Sequence, residues 1–265
     1  MKNPVITLTT DFGYKDPYTG IMKGVILGIN PEATLVDLTH SINRHDVREA
    51  AMVIASSYRY FPSGTIHIVI ADPGVGSGRR PVLVASGNHY FIGPDNGVFS
   101  CIYDENPECR VIHLTRQHYF LKRISPTFHG RDIFAPVAAW LSKGLELSSL
   151  GDEVKDYVRQ QIPCPLKEGS AIRGEIILID HFGNAVTNIR INDIEDMRNF
   201  RVEGRIKIMI NGNEAQLLHY YSQAQDNSLY TIEGSMGFIE FFVFGKDASS
   251  AYGLRIGDSV RVSFA

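Results

Sequence analysis

The sequence predicts a two-domain protein, with an α/β N-terminal domain that has a largely parallel sheet and an all-β C-terminal barrel domain. In the first half, short apolar strand patterns alternate with helical patterns, which is typical of parallel sheets. In the second half nearly all patterns are strand-like, and a polar stretch containing Pro and Gly separates the halves. We therefore expect domains over residues 1–162 and 170–265, joined by a linker over residues 163–169.

The N-terminal elements follow from apolar periodicity and from helix caps. Strands are expected at residues 5–9, 34–38, 65–71, 82–86, 89–93 and 111–114. Asp16 is expected to cap the first helix, with Pro17 at its first position, and Asp46 is expected to cap the second. A further helix should cover residues 133–143 and end at Gly144.

The C-terminal half shows weak helix signals. Strands are expected at residues 174–179, 205–211, 229–232, 238–243 and 259–264. Short strands without intervening helices predict a small antiparallel barrel.

The composition excludes several classes of protein. The 265 residues carry a formal net charge of -3 with both signs interleaved, so no strong field attracts nucleic acid or an anionic membrane. Three cysteines without C-x-x-C spacing argue against a disulfide framework and fit a reducing cytoplasm. The N-terminus lacks the apolar core of a secretory signal, and no apolar run approaches the roughly 20 residues of a membrane span. We expect a cytoplasmic protein with a small-molecule substrate.

Five polar or glycine-rich clusters are candidates for chemistry. They cover residues 9–13, 72–79, 93–97, 127–132 and 180–184. The first two directly follow predicted strands, and open α/β sheets bind ligands at the carboxyl ends of their strands. Taken alone, each cluster is better explained as an ordinary turn, cap or structural residue than as a site. Neither a G-x-G-x-x-G loop nor a metal-binding histidine spacing is present, so no dinucleotide or metal site is predicted.

Taken together and in this order, the clusters resemble those of the S-adenosyl-L-methionine (SAM) hydroxide adenosyltransferase family, which is related to the fluorinases and chlorinases. The most specific stretches are Asp72-Pro73-Gly74-Val75-Gly76, Gly93-Pro94-Asp95-Asn96-Gly97, Thr127-Phe128-His129-Gly130-Arg131-Asp132 and Phe182-Gly183-Asn184. The resemblance covers nearly the whole chain. It implies an α/β domain, a β-barrel, and a homotrimer whose active sites lie between the N-terminal domain of one subunit and the C-terminal domain of its neighbour.

The resemblance also implies an activity, the hydrolysis of SAM by attack of water at the ribose C5′, which yields adenosine and L-methionine. SAM is then the substrate, and neither a cofactor nor a metal is expected. Asp72, Arg79 and His129 match the polar triad that handles the water. Asp11 matches the carboxylate that holds the ribose hydroxyls. The other substrate-binding candidates are Phe128, Asn184 as an adenine contact, and Asp16, Asp180 and Ser235 at the methionine end.

Three features favour water over halide as the nucleophile. Halogenating relatives carry a tyrosine at Asp72, a serine at Gly130, and an extra loop after the segment that matches Arg80. In contrast, Gly234 and Phe244 stand where the family usually has asparagines, so the C-terminal domain departs from the family pattern of substrate recognition at these two positions. A SAM-dependent halogenase, a nucleoside-binding module without turnover and a metal-dependent hydrolase are the alternatives.

Overall fold

The structure, a computed structural model, describes residues 4–161, 163–199 and 205–264. The chain divides into two units, and the boundary falls between residues 162 and 163. Residue 162, at which the N-terminal domain is predicted to end, lies outside the described residues. In the described part of the chain, no helix has the length and apolar character needed to cross a bilayer.

The first unit contains seven strands and four α-helices among its described residues. The strands are β1 (Val5–Thr10), β2 (Thr34–Thr39), β3 (Ile66–Ile70), β4 (Pro81–Ser86), β5 (His89–Pro94), β6 (Arg110–Leu114) and β7 (Gly151–Glu153). The helices are α1 (Tyr18–Ile29), α2 (Val47–Ser57), α3 (Ser100–Glu105) and α4 (Ala135–Ser142).

These strands form one sheet in the order β2-β1-β3-β5-β4-β6-β7. The first three pairings are parallel and the last three are antiparallel. The α/β class is therefore confirmed, with a mixed sheet whose parallel part comprises β2, β1, β3 and β5. Buried strands are apolar on both faces whatever their direction, so the apolar pattern does not show which strands run antiparallel. The two-residue turn between β4 and β5 is the one local indication of this edge.

Helices cover both faces of this sheet because successive side chains of a strand point to opposite faces. In β3, Ile66, Ile68 and Ile70 pack in one core with residues of α1 and α4. Val69 points the other way and packs in a second core with residues of α2 and α3. The sheet is therefore packed between two cores, one on each face.

Two predicted helix caps have different outcomes. The Asp46 cap is confirmed, since its carboxylate accepts a hydrogen bond from the Glu49 N–H at 2.9 Å. The Asp16 cap is wrong: α1 begins at Tyr18, and Pro17 occupies the cap position without a side-chain hydrogen bond.

The second unit consists mainly of strands. They are β8 (Leu166–Glu168), β9 (Ala171–Ile179), β10 (Ala185–Arg190), β11 (Ile206–Ile210), β12 (Asn213–Leu218), β13 (Tyr230–Glu233), β14 (Phe238–Phe242) and β15 (Ser259–Phe264). Two helices, α5 (Ile191–Asn199) and α6 (Ala248–Tyr252), accompany them.

Seven of these strands close into a barrel in the order β10-β14-β13-β12-β11-β15-β9, and β9 pairs with β10 to complete it. The predicted barrel is confirmed, with one parallel pairing between β12 and β13. The predicted linker over residues 163–169 needs a correction, because Leu166–Glu168 forms β8 and pairs with β9 at the edge of the barrel. Proline and charge in that stretch are compatible with an edge strand, which carries unpaired backbone groups on one side.

Candidate functional site

The loops that follow β1, β2 and β3 meet at one edge of the first unit's sheet, since these strands are parallel and end on the same side. They enclose a cavity of about 280 Å³. The cavity is lined by Asp11, Phe12, Tyr18, Arg44, His45, Ile70, Asp72, Val75, Thr127 and Gly130. The structure thus brings two of the candidates, Asp11 and Asp72, to the same cavity.

Asp72 is joined to the other two members of the predicted triad. Arg79 Nε lies 3.0 and 2.9 Å from the two Asp72 carboxylate oxygens, and Arg79 Nη2 contacts Asp72 Oδ2 as well. The same Nη2 lies 3.0 Å from His129 Nδ1. The Asp72 and Arg79 side chains are only 5% and 8% exposed, so this is a nearly buried ion pair.

These contacts determine the protonation of His129. A guanidinium can only donate hydrogen bonds, so Nδ1 of His129 accepts from Arg79 and the ring proton of the neutral imidazole lies on Nε2. Burial and then the charge of Arg79 lower the pKa of His129. His129 is therefore neutral at pH 7, with its Nε2–H available as a donor.

The glycine-rich segment between Asp72 and Arg79 is a tight double turn. The Ser77 N–H donates to the Gly74 carbonyl at 3.1 Å, and the Ser77 hydroxyl accepts from the Arg79 N–H at 3.3 Å. Gly76 has φ +78, and a Cβ there would lie 2.2 Å from the Pro126 carbonyl oxygen. Because the turn reverses the chain, Arg79 returns to contact Asp72.

A π-helical turn, Gly130–Phe134, immediately follows His129 and leads into α4. Such turns contain one residue more than an α-helical turn and occur frequently at functional sites. A Cβ on Gly130 would lie 3.1 Å from both Ile70 Cδ1 and Met22 Sδ, which is tighter than ordinary van der Waals contact. The cavity wall therefore has little room for a larger residue at Gly130.

Asp11 is held from the loop that follows β2. Its Oδ2 accepts a hydrogen bond from the His45 N–H at 2.9 Å. His45 has φ +66, a left-handed conformation that is uncommon outside glycine and recurs at functional sites. His45 and Arg44 are not among the site residues predicted from the sequence, because single polar residues before a helix cap carry no distinctive signal.

The remaining candidates of the first unit differ in position. Phe128 is buried and makes edge-to-face contacts with Phe12 and Tyr18, at centroid distances of 5.9 and 5.2 Å. It therefore shapes the cavity wall through these two rings. Asp16 is exposed in the turn before α1 and is not among the residues that line the cavity.

In the second unit, Asp180 and Asn184 form one turn between β9 and β10. Asp180 Oδ1 accepts from the backbone N–H groups of Phe182 and Asn184, at 2.9 and 2.8 Å. Asp180 Oδ2 accepts from the Asn184 side-chain amide at 3.1 Å. The carboxylate of Asp180 thus orients the Asn184 amide.

Asn184 lines a second cavity, of about 560 Å³, which lies within this unit. Its walls comprise Phe182, Asn184, Tyr221, Phe242, Val243, Phe244, Gly245, Lys246 and Asp247. Phe182 and Phe244 are 75% and 50% exposed. Aromatic walls with one oriented amide are suited to a planar heterocycle, which stacks on the rings and hydrogen-bonds at its edge.

The presence of glycine at position 234, in place of the asparagine expected from the resemblance, has a structural reason. A Cβ there would lie 2.1 Å from Glu240 Oε2, so the buried Glu240 side chain occupies that space. Glu240 accepts a hydrogen bond from the Tyr221 hydroxyl, and burial raises the pKa of this carboxyl. Ser235, the last candidate, is exposed in the turn between β13 and β14.

Comparisons with known proteins cover both units. The family described as "SAM hydroxide adenosyltransferase N-terminal domain" matches residues 6–151, and its C-terminal counterpart matches residues 174–261. The chain is 32% identical to an (R)-S-adenosyl-L-methionine hydrolase of Salinispora tropica, over 98% of both chains. It is 33% identical to a hydrolase of the same name from Thermus thermophilus, over 98% of this chain and 99% of the relative. A fluorinase of an Actinoplanes species is 30% identical over 73% of this chain and 74% of the relative.

A solved structure of an uncharacterized conserved protein from Thermotoga maritima superimposes with a TM-score of 0.90. The two chains are 32% identical, and the superposition covers 97% of this chain and 99% of that one.

Proposed function

The chain belongs to the SAM hydroxide adenosyltransferase family, and on that premise we propose that it hydrolyses S-adenosyl-L-methionine to adenosine and L-methionine. Relatives named hydrolases match over the full chain, whereas the fluorinases match over about three-quarters of it. The observation that carries the proposal is the nearly buried ion pair of Asp72 and Arg79, with His129 bound to it, at the cavity that Asp11 lines.

The chemistry requires a well-placed water rather than an acid. In SAM the leaving group is a sulfonium, which departs as a neutral thioether. As the new C5′–O bond forms, the C5′–S bond breaks and its electron pair goes to sulfur, while the water loses a proton. An aligned nucleophile in a dry pocket therefore accounts for much of the expected acceleration.

The contacts within the cluster favour Asp72 as the proton acceptor. Arg79 already donates to Nδ1 of His129, so that ring has no free basic nitrogen. His129 then presents its Nε2–H to the water oxygen, and Asp72 receives the proton. Arg79 holds both groups in place, and its Nη1 is buried without a hydrogen-bond partner among the described residues, so it has donor capacity left for the developing oxyanion.

We assign the remaining candidates to substrate binding. Asp11 holds the ribose hydroxyls, and Asn184 contacts adenine. Phe128 shapes the pocket in the first unit. Asp16, Asp180 and Ser235 bind the methionine end.

Water rather than halide is the proposed nucleophile. Position 72 carries a carboxylate, which accepts protons, and the packing around Gly130 leaves little space for a serine. Residues 81–92 comprise β4, a two-residue turn and the first four residues of β5, so this hairpin holds no inserted loop.

We further propose a homotrimer, with each active site shared between the N-terminal domain of one subunit and the C-terminal domain of its neighbour. Each unit carries its own cavity, and the candidates for water handling and for adenine binding lie in different units. We expect light scattering coupled to size exclusion to give three times the 29.5 kDa chain mass. The cysteine pattern supports a cytoplasmic location, and SAM is the substrate, with no resident cofactor proposed.

The test is chromatography of the purified protein incubated with SAM and EDTA, in buffers with and without chloride. Adenosine and methionine in both buffers would support hydrolysis by water without a metal. A 5′-chloro nucleoside would replace the hydrolase with a halogenase. Activity that EDTA abolishes and a divalent metal restores would overturn the proposed metal independence. Intact SAM throughout would leave only a binding role.

A further inference from the structure

His40, the residue after β2, is fully buried beside the loop that carries Asp11. Its Nδ1 lies 2.8 Å from Thr10 Oγ1, and its backbone carbonyl accepts from the Gly13 N–H at 2.8 Å. One residue therefore contacts the loop on both sides of Asp11, through its side chain and through its backbone.

The second ring nitrogen of His40 defines the direction of these hydrogen bonds. Nε2 lies 3.0 Å from Asp37 Oδ1. Both atoms are buried, so this contact is shielded from solvent. A lone pair on Nε2 would repel the carboxylate, so the proton lies on Nε2 and Nδ1 accepts from the Thr10 hydroxyl.

Because the Thr10 hydroxyl donates its hydrogen to His40, the lone pairs of its oxygen are available to accept a second hydrogen bond. That bond comes from the Phe12 N–H, at 3.3 Å. The hydroxyl thereby fixes the backbone immediately after Asp11. At the other end, Asp37 binds Lys23 of α1 at 2.6 Å. The chain of contacts thus connects the loop to a helix packed on the sheet.

We propose that His40 and Thr10 are positioning residues for Asp11. They fix the loop so that the Asp11 carboxylate, whose Oδ2 is already held by the His45 N–H, faces the ribose hydroxyls. This inference rests on the proposed function, because it assigns His40 and Thr10 to the ribose subsite of that reaction.

The test compares Thr10→Val with Thr7→Val, two nearly isosteric changes in β1. Thr7 is also fully buried and its Oγ1 lies 2.8 Å from Nδ1 of another buried histidine, His67, so its loss has a similar cost to stability. Thr7 lies three residues before Thr10, roughly 10 Å along the strand. We expect Thr10→Val to raise KM for SAM about tenfold and to change kcat by less than about twofold. Thr7→Val should leave KM unchanged.

A second pair of variants separates positioning from packing. In His40→Asn the side-chain oxygen takes the place of Nδ1 and can accept from Thr10, so KM should stay near the wild-type value. His40→Ala removes the acceptor and should raise KM as Thr10→Val does. If Thr10→Val does not fold, as judged by circular dichroism, this pair decides the question.

Two results would overturn the inference: the same KM for Thr10→Val and Thr7→Val, or equal KM values for the asparagine and alanine variants of His40. If the wild-type protein binds SAM without hydrolysing it, the proposed function fails, and calorimetric Kd values for the same variants replace KM. A wild-type protein that does not bind SAM overturns both.

Discussion

Replacing Asp72 with alanine should lower both the turnover number and the free energy of unfolding, and the two effects can be measured separately. Asp72 and Arg79 are 5% and 8% exposed, so the variant leaves a nearly buried cation without its partner. Removing one member of a buried pair costs about 3–5 kcal/mol in the free energy of unfolding. Loss of a proton acceptor lowers kcat about a hundred- to ten-thousandfold, which corresponds to roughly 3–5 kcal/mol of barrier.

Both quantities are measurable on the same protein. Initial rates of adenosine release, followed by chromatography over a range of SAM concentrations, give kcat and KM. Urea unfolding gives the free energy of unfolding. We expect a large decrease in kcat with KM changed by less than about threefold, because the proposed role of Asp72 is confined to the transition state.

The double variant Asp72→Ala with Arg79→Met provides the control. It removes the unpaired cation together with the carboxylate, so stability should partly recover while turnover stays low. Two results would refute the reasoning. Wild-type turnover in Asp72→Ala would exclude Asp72 from the chemistry, and recovery of turnover in the double variant would mean that Asp72 serves only to neutralise Arg79.

Three further predictions concern binding, pH and packing. Asp11→Ala should raise KM for SAM about tenfold or more with kcat nearly unchanged, because the ribose hydroxyls lose a charged acceptor; an unchanged KM would contradict the ribose assignment. Burial, together with the charge of His89, lowers the pKa of His67 from 6.5 to about 3, so between these values the unfolded chain binds more protons than the native one. The contribution of His67 to the free energy of unfolding is therefore fully present above about pH 6.5 and decreases as the pH falls toward 3. Urea unfolding of His67→Gln should lack this decrease, and equal pH slopes in variant and wild type would disprove the prediction. Gly234→Ala places a Cβ 2.1 Å from the buried Glu240 carboxylate and should destabilise the protein by about 1–3 kcal/mol in thermal unfolding, whereas an unchanged Tm would mean that Glu240 moves aside at no cost.

Local patterns in the sequence were sufficient for most strands and for one of the two predicted caps. The Asp46 cap was predictable because its contact is local, to the N–H of Glu49 in the first turn of α2. The antiparallel pairing of β4 with β6 joins residues 25 to 31 positions apart, which periodicity does not report. Strand β8 of the predicted linker pairs with β9 only three to seven residues away, but all three of its residues are exposed, so it shows no apolar alternation. The Asp16 cap fails because Pro17 occupies the cap position instead.

Candidate residues of the site could likewise be predicted from the sequence, whereas their hydrogen bonds and backbone conformations could not. The order of the motifs identified Asp72, Arg79 and His129 as a group through the resemblance. Their proton arrangement needed the structure, because it depends on which histidine nitrogen Arg79 contacts. The role of His45 depends on a backbone conformation, and such a conformation leaves no mark on residue type.

The π-helical turn after His129 makes the length of this segment as important as its composition. Deleting any one residue from Gly130–Phe134 would leave a regular α-helix with its hydrogen bonds intact. Each residue of an α-helix turns the chain by about 100°, so the deletion would rotate His129 away from Arg79 by about that angle. Chains of this fold that differ by a single-residue gap here should lack the contact between His129 and Arg79 and be inactive, a type of divergence that scoring by substitutions alone would miss.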